Sequence, residues 1–210
     1  MDAVTDKTRS GELKADGAKA DETKAFKTKA DETKVVKTKP CKTKLYKQPY
    51  LAAISGVKNS GKTTFLEHLV AELKKRGYRV AVIKHDGHDF EPDVEGTDTW
   101  KLRHAGAYGT AIFSKGKWMV VKEQPDMDEK TLSGMFPEAD FILLEGFKYS
   151  AYPKFEIVRK ENSSESVCDA KTLLGLITDT ELKIDGIPVL NLCDYKTAAD
   201  ILGNCIKIRK

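Results

Sequence analysis

The chain is poor in cysteine and has none in a paired spacing: its 4 cysteines, Cys41, Cys168, Cys193 and Cys205, form no CxxC, and no histidine stands at the interval a zinc site needs. A disulfide- or zinc-stapled scaffold is therefore not expected, and reduced thiols are. Long apolar runs are also missing. No stretch approaches the roughly 18 apolar residues of a membrane-spanning helix, and the opening MDAVTDKTRSGELK lacks the apolar centre of a signal peptide. A transit peptide would be poor in acids, and this segment is not. The expected location is cytoplasmic, with no membrane partner. Finally, no strong charge of one sign marks the part of the chain that can fold. The formal net charge is +4, but residues 1–48 hold 13 Lys and Arg against 8 Asp and Glu, and the remainder holds 23 against 24. The basicity belongs to the N-terminal segment, so no specific nucleic acid is expected as a partner of the folded part.

That segment is repetitive. KADETKAFKT (19–28) recurs as KADETKVVKT (29–38) and fades into KPCKTKLYK. A period of ten matches neither a heptad nor an eleven-residue supercoil repeat. The few apolar residues in each copy bury too little surface to offset chain entropy. Residues 1–48 are expected to be a disordered or weakly helical charged tail, with lysines that touch an acidic partner or RNA as the alternative reading. Composition changes at Pro49, which sets the expected domain at 49–210.

Within that domain, strand-like and helix-like runs alternate. The pattern predicts strands at 50–55, 79–84, 109–113, 117–122, 140–145, 155–158, 172–178 and 188–192, with helices near 62–76, 97–105 and 195–204. Runs such as YRVAVIK and FILLE, apolar on both faces and separated by helices, indicate a mostly parallel sheet covered on both sides. The fold class is α/β: a three-layer P-loop NTPase-like domain preceded by the charged tail.

The motif behind that reading is Gly56-Val-Lys-Asn-Ser-Gly61-Lys62-Thr63, which matches G-x-x-x-x-G-K-[ST] between a predicted strand and a predicted helix. Glycines let successive backbone N–H groups turn inward, and the helix that follows presents its positive end to the same anion. Gly56, Lys58, Asn59, Ser60, Gly61, Lys62, Thr63 and Thr64 are the candidate phosphate-binding residues. Lys62 would reach the β and γ phosphates, and the Thr63 hydroxyl would face Mg²⁺, a hard ion that favours oxygen ligands.

A second apolar run, Phe141 to Leu144, delivers Glu145 to a strand end, where open α/β sheets bind ligands. Glu145 would hold Mg²⁺ through water or orient an attacking water; a solvent-facing strand-end acid is the plain alternative. Lys84-His85-Asp86-Gly87-His88-Asp89 follows another strand and is dense in polar groups. A loop that senses phosphate or Mg²⁺ fits it better than zinc. Asp98, Arg103 and His104 fall on a predicted helix, where a solvated polar face is equally open.

Taken together, GVKNSGKTTFLEHLV, VAVIKHDGHDFEPDVEGTDTWKLRHAGA and DFILLEGFK resemble the MobB family, the molybdopterin-guanine dinucleotide biosynthesis adapter proteins. The resemblance covers residues 50 to about 160, thins beyond, and is absent from the tail. It implies a GTP-binding, Mg²⁺-dependent accessory protein, weakly hydrolytic at most, that assists a MobA-type molybdopterin nucleotidyltransferase and meets a molybdopterin-type cofactor. It also implies a homodimer. By position, Thr63 and Glu145 form the metal environment, Glu145 and Asp86 are the catalytic candidates, and His85, Asp86, His88 and Asp98 form a loop that faces the γ phosphate. Related P-loop proteins such as dethiobiotin synthetases and nickel-insertion GTPases often carry a lysine directly after the first loop glycine. Here that place is Val57, with Lys58 next, so no lysine finger across a dimer is expected.

Guanine specificity has no N-K-x-D box to rest on. Asp179 after Thr178, and Asn191 with Asp194, are candidate substitutes at strand ends, each with a plain reading as a cap or turn residue. Two other functions stay open. A small-molecule kinase would carry an arginine-rich lid, and a metal-insertion GTPase a store of His or Cys; neither run is visible in the sequence.

Overall fold

The computed structural model describes residues 48–87 and 89–208. The tail expectations therefore fall outside the described residues.

Strand β1 (Tyr50–Gly56) runs into the glycine loop and helix α1 (Lys62–Lys75), after which β2 (Val80–Lys84) leads through a long polar loop to α2 (Asp98–His104). A hairpin of β3 (Gly109–Phe113) and β4 (Trp118–Lys122), the short helix α3 (Glu129–Ser133), β5 (Phe141–Glu145) and β6 (Lys154–Val158) follow. A single 3-10 turn (Ala170–Thr172), β7 (Leu173–Thr178), β8 (Val189–Leu190) and α4 (Tyr195–Ile208) complete the chain. Six strands form one sheet in the order β2-β5-β1-β6-β7-β8, all paired in parallel. The mostly parallel three-layer α/β reading holds.

Period-two alternation assigns the faces. Tyr50, Ala52 and Ile54 of β1 point into one core, where Phe65, Leu66, Leu69 and Leu73 of α1 meet Ala198, Ala199 and Leu202 of α4. Ala53, Ile83, Ile142 and Leu144 point the other way, into a thinner layer closed by Leu132 of α3 and by Ala139, Phe147 and Tyr152. Helix α3 has no counterpart among the helices that the sequence pattern predicts. Its five residues are too few for a helical apolar period, although Asp128 caps it by accepting from Thr131 N at 2.8 Å. The hairpin β3–β4 also stands apart from the main sheet as a two-stranded antiparallel unit. Its connection is too short for the crossover that parallel pairing requires.

One buried group has a large structural role. Lys154 is fully buried in β6, and its ammonium donates to three backbone carbonyls: Phe147 (3.0 Å), Lys148 (3.2 Å) and Ser150 (2.6 Å). It thereby anchors the turn that follows Glu145, in which Phe147 takes a left-handed backbone conformation (φ 51°). Burial lowers the Lys154 pKa below that of a free lysine, while Cys168, Glu156 and Asp169 pull it back up. Lys154→Met keeps the apolar stem but leaves the carbonyls without a donor. Urea unfolding should show a loss of about 2 kcal/mol or more. The folded chain binds fewer protons at this site than the unfolded chain in the alkaline range. Stability of the wild type relative to the variant should therefore rise as pH climbs toward the unfolded lysine value.

Candidate functional site

The C-terminal ends of the parallel strands converge on one edge of the sheet, where ligands collect in open α/β folds. Register brings Glu145 of β5 beside Ile54 of β1 and Lys84 of β2. Gly56 lies against Ile157 of β6, and a Cβ on it would stand 2.5 Å from the Ile157 carbonyl oxygen. Only glycine allows β1 to leave the sheet there. The loop then turns through Asn59 (φ 62°) and Gly61 (φ 91°) into α1, whose first turn has no side-chain cap. That helix end leaves backbone N–H groups directed at the cradle.

Lys58, Asn59, Gly61, Lys62, Thr63, Thr64 and Glu145 line a single cavity of about 500 Å³ together with Lys84 and Arg159. The loop, Thr63 and Glu145, picked out from separate stretches of sequence, are therefore brought together. Lys62 Nζ folds over the loop and donates to the Val57 carbonyl at 2.6 Å. Burial lowers its pKa, Glu145 opposes that shift, and the charges of Lys148 and Lys84 add to it. Thr63 Oγ1 donates to Glu145 Oε1 at 2.6 Å, and Glu145 is nearly buried. Two oxygen groups in contact, one anionic, suit Mg²⁺, which takes few protein ligands and completes its shell with phosphate oxygens and water.

Other candidates lie elsewhere. His85 is exposed and stands edge-on to Phe147, with ring centroids 6.0 Å apart. Asp86 is exposed in the same loop, and Asp98 opens α2 behind the Thr97 cap. None of these three lines the cavity. His88 lies outside the described residues. Arg103 pairs with Glu91 and ties α2 to the loop that precedes it. Asp179 accepts from Lys160 N at 2.7 Å and ties the end of β7 to the end of β6, while Asn191 accepts from Cys193 N at 2.9 Å in a turn and Asp194 from Thr197 N at 3.2 Å at the start of α4.

Lys84 and Arg159 were not assigned to the cavity from sequence. Lys84 ends β2 and Arg159 follows β6 directly, so the strand-end rule that found Glu145 would have found both. With Lys58 and Lys62 they face a single carboxylate, a charge balance made for a polyanion.

The parallel sheet, the glycine loop at the end of its β1 strand and the Thr63–Glu145 pair define a P-loop nucleotide-binding protein. Residues 51–179 match the family profile of molybdopterin guanine dinucleotide synthesis protein B. A molybdopterin-guanine dinucleotide biosynthesis adapter protein from Haemophilus influenzae is 35% identical over 157 residues, covering 73% of this chain and 88% of that protein. Its Escherichia coli counterpart is 32% identical over 160 residues, covering 72% and 90%. The crystal structure of Bacillus subtilis MobB superposes with a TM-score of 0.61 at 29% identity, covering 74% of this chain and 96% of that one. The chain belongs to the MobB family.

Two substitutions test the cradle. Lys62→Ala removes a charge-assisted donor and should weaken triphosphate binding about tenfold or more in a calorimetric titration. Glu145→Gln keeps the volume and removes the charge. Binding should lose its Mg²⁺ dependence while the melting temperature stays within about 3 °C of wild type, as expected when no core packing is lost.

Proposed function

We propose that this chain is a GTP-binding accessory protein of molybdenum cofactor biosynthesis that assists a MobA-type nucleotidyltransferase in attaching GMP to molybdopterin. The observation that carries this reading is the contact between Thr63 and Glu145 inside a lysine-rich P-loop cavity, in a chain of the MobB family. In this reading the nucleotide-binding unit is residues 49–210, with the charged tail appended, and it works in the cytoplasm.

The geometry supports the following roles. Backbone N–H groups of residues 58–64 and the end of α1 hold the phosphates, while Lys62 neutralises the outermost charge. Thr63 and Glu145 would hold Mg²⁺, which supplies charge neutralisation and fixes the orientation of the β and γ phosphates. Glu145, buried and hydrogen-bonded to Thr63, would also orient a water. His85, Asp86, His88 and Asp98 belong to the segment between β2 and α2, which would close over the outer phosphate. A slow hydrolysis that signals to the partner enzyme fits this arrangement better than rapid turnover.

A homodimer is part of the proposal. The hairpin β3–β4 is separate from the main sheet and leaves Phe113 85% and Trp118 61% exposed, with Val120 on the same face. An apolar sheet face of that kind marks an interaction surface.

Analytical ultracentrifugation of the full chain with a MobA-type nucleotidyltransferase tests both parts. With GTP and Mg²⁺ present, the chain should sediment as two copies alone and in a larger species with the enzyme. GTP should be retained in preference to ATP. A monomer indifferent to both nucleotide and enzyme would rule the reading out.

A further inference from the structure

Beside the phosphate cradle a second cavity of about 220 Å³ opens toward the turn between β8 and α4. It shares Gly61, Thr64 and Arg159 with the first, so the two adjoin across the glycine loop. Its floor is apolar, made by Phe65, Ile157 and Leu192, and Tyr195 stands at its rim. Two polar atoms here are buried without a hydrogen-bond partner: Ser60 Oγ and Arg159 Nε. Such groups cost free energy unless a ligand satisfies them.

A largely apolar slot next to a triphosphate cradle suits a purine ring, and among the described residues Arg159 is the one charged side chain that lines it. The guanidinium ion only donates hydrogen bonds, in a rigid fork. Guanine presents two acceptors on one edge, O6 and N7, and that pair is the usual target of an arginine fork; adenine replaces O6 with an N6 donor. The carboxylates and amide that would instead read guanine from N1 and N2, those of Asp179, Asn191 and Asp194, each spend an oxygen on a backbone N–H. None of them lines the slot. Glu161 pairs with Arg159 Nη2 at 3.6 Å and is largely exposed, a solvated contact that a buried base edge can replace.

We propose that this slot is the nucleobase subsite and that Arg159 sets guanine preference by donating to O6 and N7. The inference rests on the nucleotide reading of the glycine loop, and it places base selection on a cation after β6 and not on an acid after β7 or β8.

Inosine triphosphate separates the two, because it keeps O6 and N7 but lacks the N2 amino group. Affinities of the full chain for GTP, ITP, ATP and inorganic triphosphate should be measured with Mg²⁺, for wild type and Arg159→Ala. Wild type should bind GTP and ITP within about threefold of each other and ATP about tenfold more weakly, the discrimination a good bidentate contact gives. In Arg159→Ala the preference should collapse, with GTP and ITP falling to the level of ATP. If ITP binds wild type tenfold more weakly than GTP, an acceptor reads N2 and the proposal is overturned. It is overturned equally if Arg159→Ala weakens all four ligands alike, since that is the mark of a phosphate contact. If inorganic triphosphate binds but base preference survives the substitution, this inference alone falls; if no ligand binds wild type, the nucleotide reading falls with it.

Discussion

Strand β1 lies between β5 and β6 in parallel register, with Ile54 beside Glu145 and Gly56 beside Ile157, and the positions of all the groups at the site follow from that registration. A slip of one residue would turn every side chain of β1 to the opposite face. Ser55 would lose its 2.5 Å bond to the Gly146 carbonyl, and the residue without a Cβ would no longer stand against the Ile157 carbonyl. The buried face of β1 and the phosphate cradle are thus two consequences of one hydrogen-bonded ladder. The large α1–α4 core holds that ladder rigid from one side.

The opposite face is held differently. Near the site it carries Ser55, Lys154 and Glu156 where an apolar layer would be expected, with Cys168 beside them. Glu156 accepts from Ser166 Oγ and from Val167 N, and Lys154 takes the carbonyls of the turn after Glu145. Burial together with the charge of Glu156 pushes the Cys168 thiol up to about 12, so it stays protonated and inert. A buried polar network gains little net stability, but it fixes geometry, because each member has a single arrangement that satisfies it. Here that geometry is the direction of the Glu145 turn, which an apolar layer would leave loosely specified.

Much of this was legible in the sequence, and what escaped did so for physical reasons. The strand of Phe141 to Glu145 and helix α1 declare themselves through long apolar runs and a motif whose residues are adjacent in the chain. Their meeting across the sheet, with Thr63 on Glu145, followed from the topology alone. In contrast, KFEIV reads as an ordinary strand with two charges to be pointed at solvent; that both are buried depends on partners at positions 147 to 150 and 166 to 167, and no local pattern announces them. Arg159 was hidden because an arginine after a strand has many surface roles, and only the fold brings it over Gly61. Asp179, Asn191 and Asp194 show the reverse: the residue types suit base recognition, but backbone N–H groups engage them, local ones for Asn191 and Asp194 and that of Lys160 on the neighbouring strand end for Asp179.

The two adjoining cavities at the glycine loop are assembled from unequal stretches of chain. The anion-gripping one comes from residues 58, 59, 61–64, 84, 145 and 159, all inside the span 51–179 that the family profile matches. The outer rim of the other, Leu192, Cys193 and Tyr195, lies beyond that span. Arg159 belongs to both, so grip and base choice meet on one side chain, while the rim can drift without disturbing either. A lineage could reshape the outer wall of the slot by changes near the C-terminus, keeping the same machinery for holding phosphate.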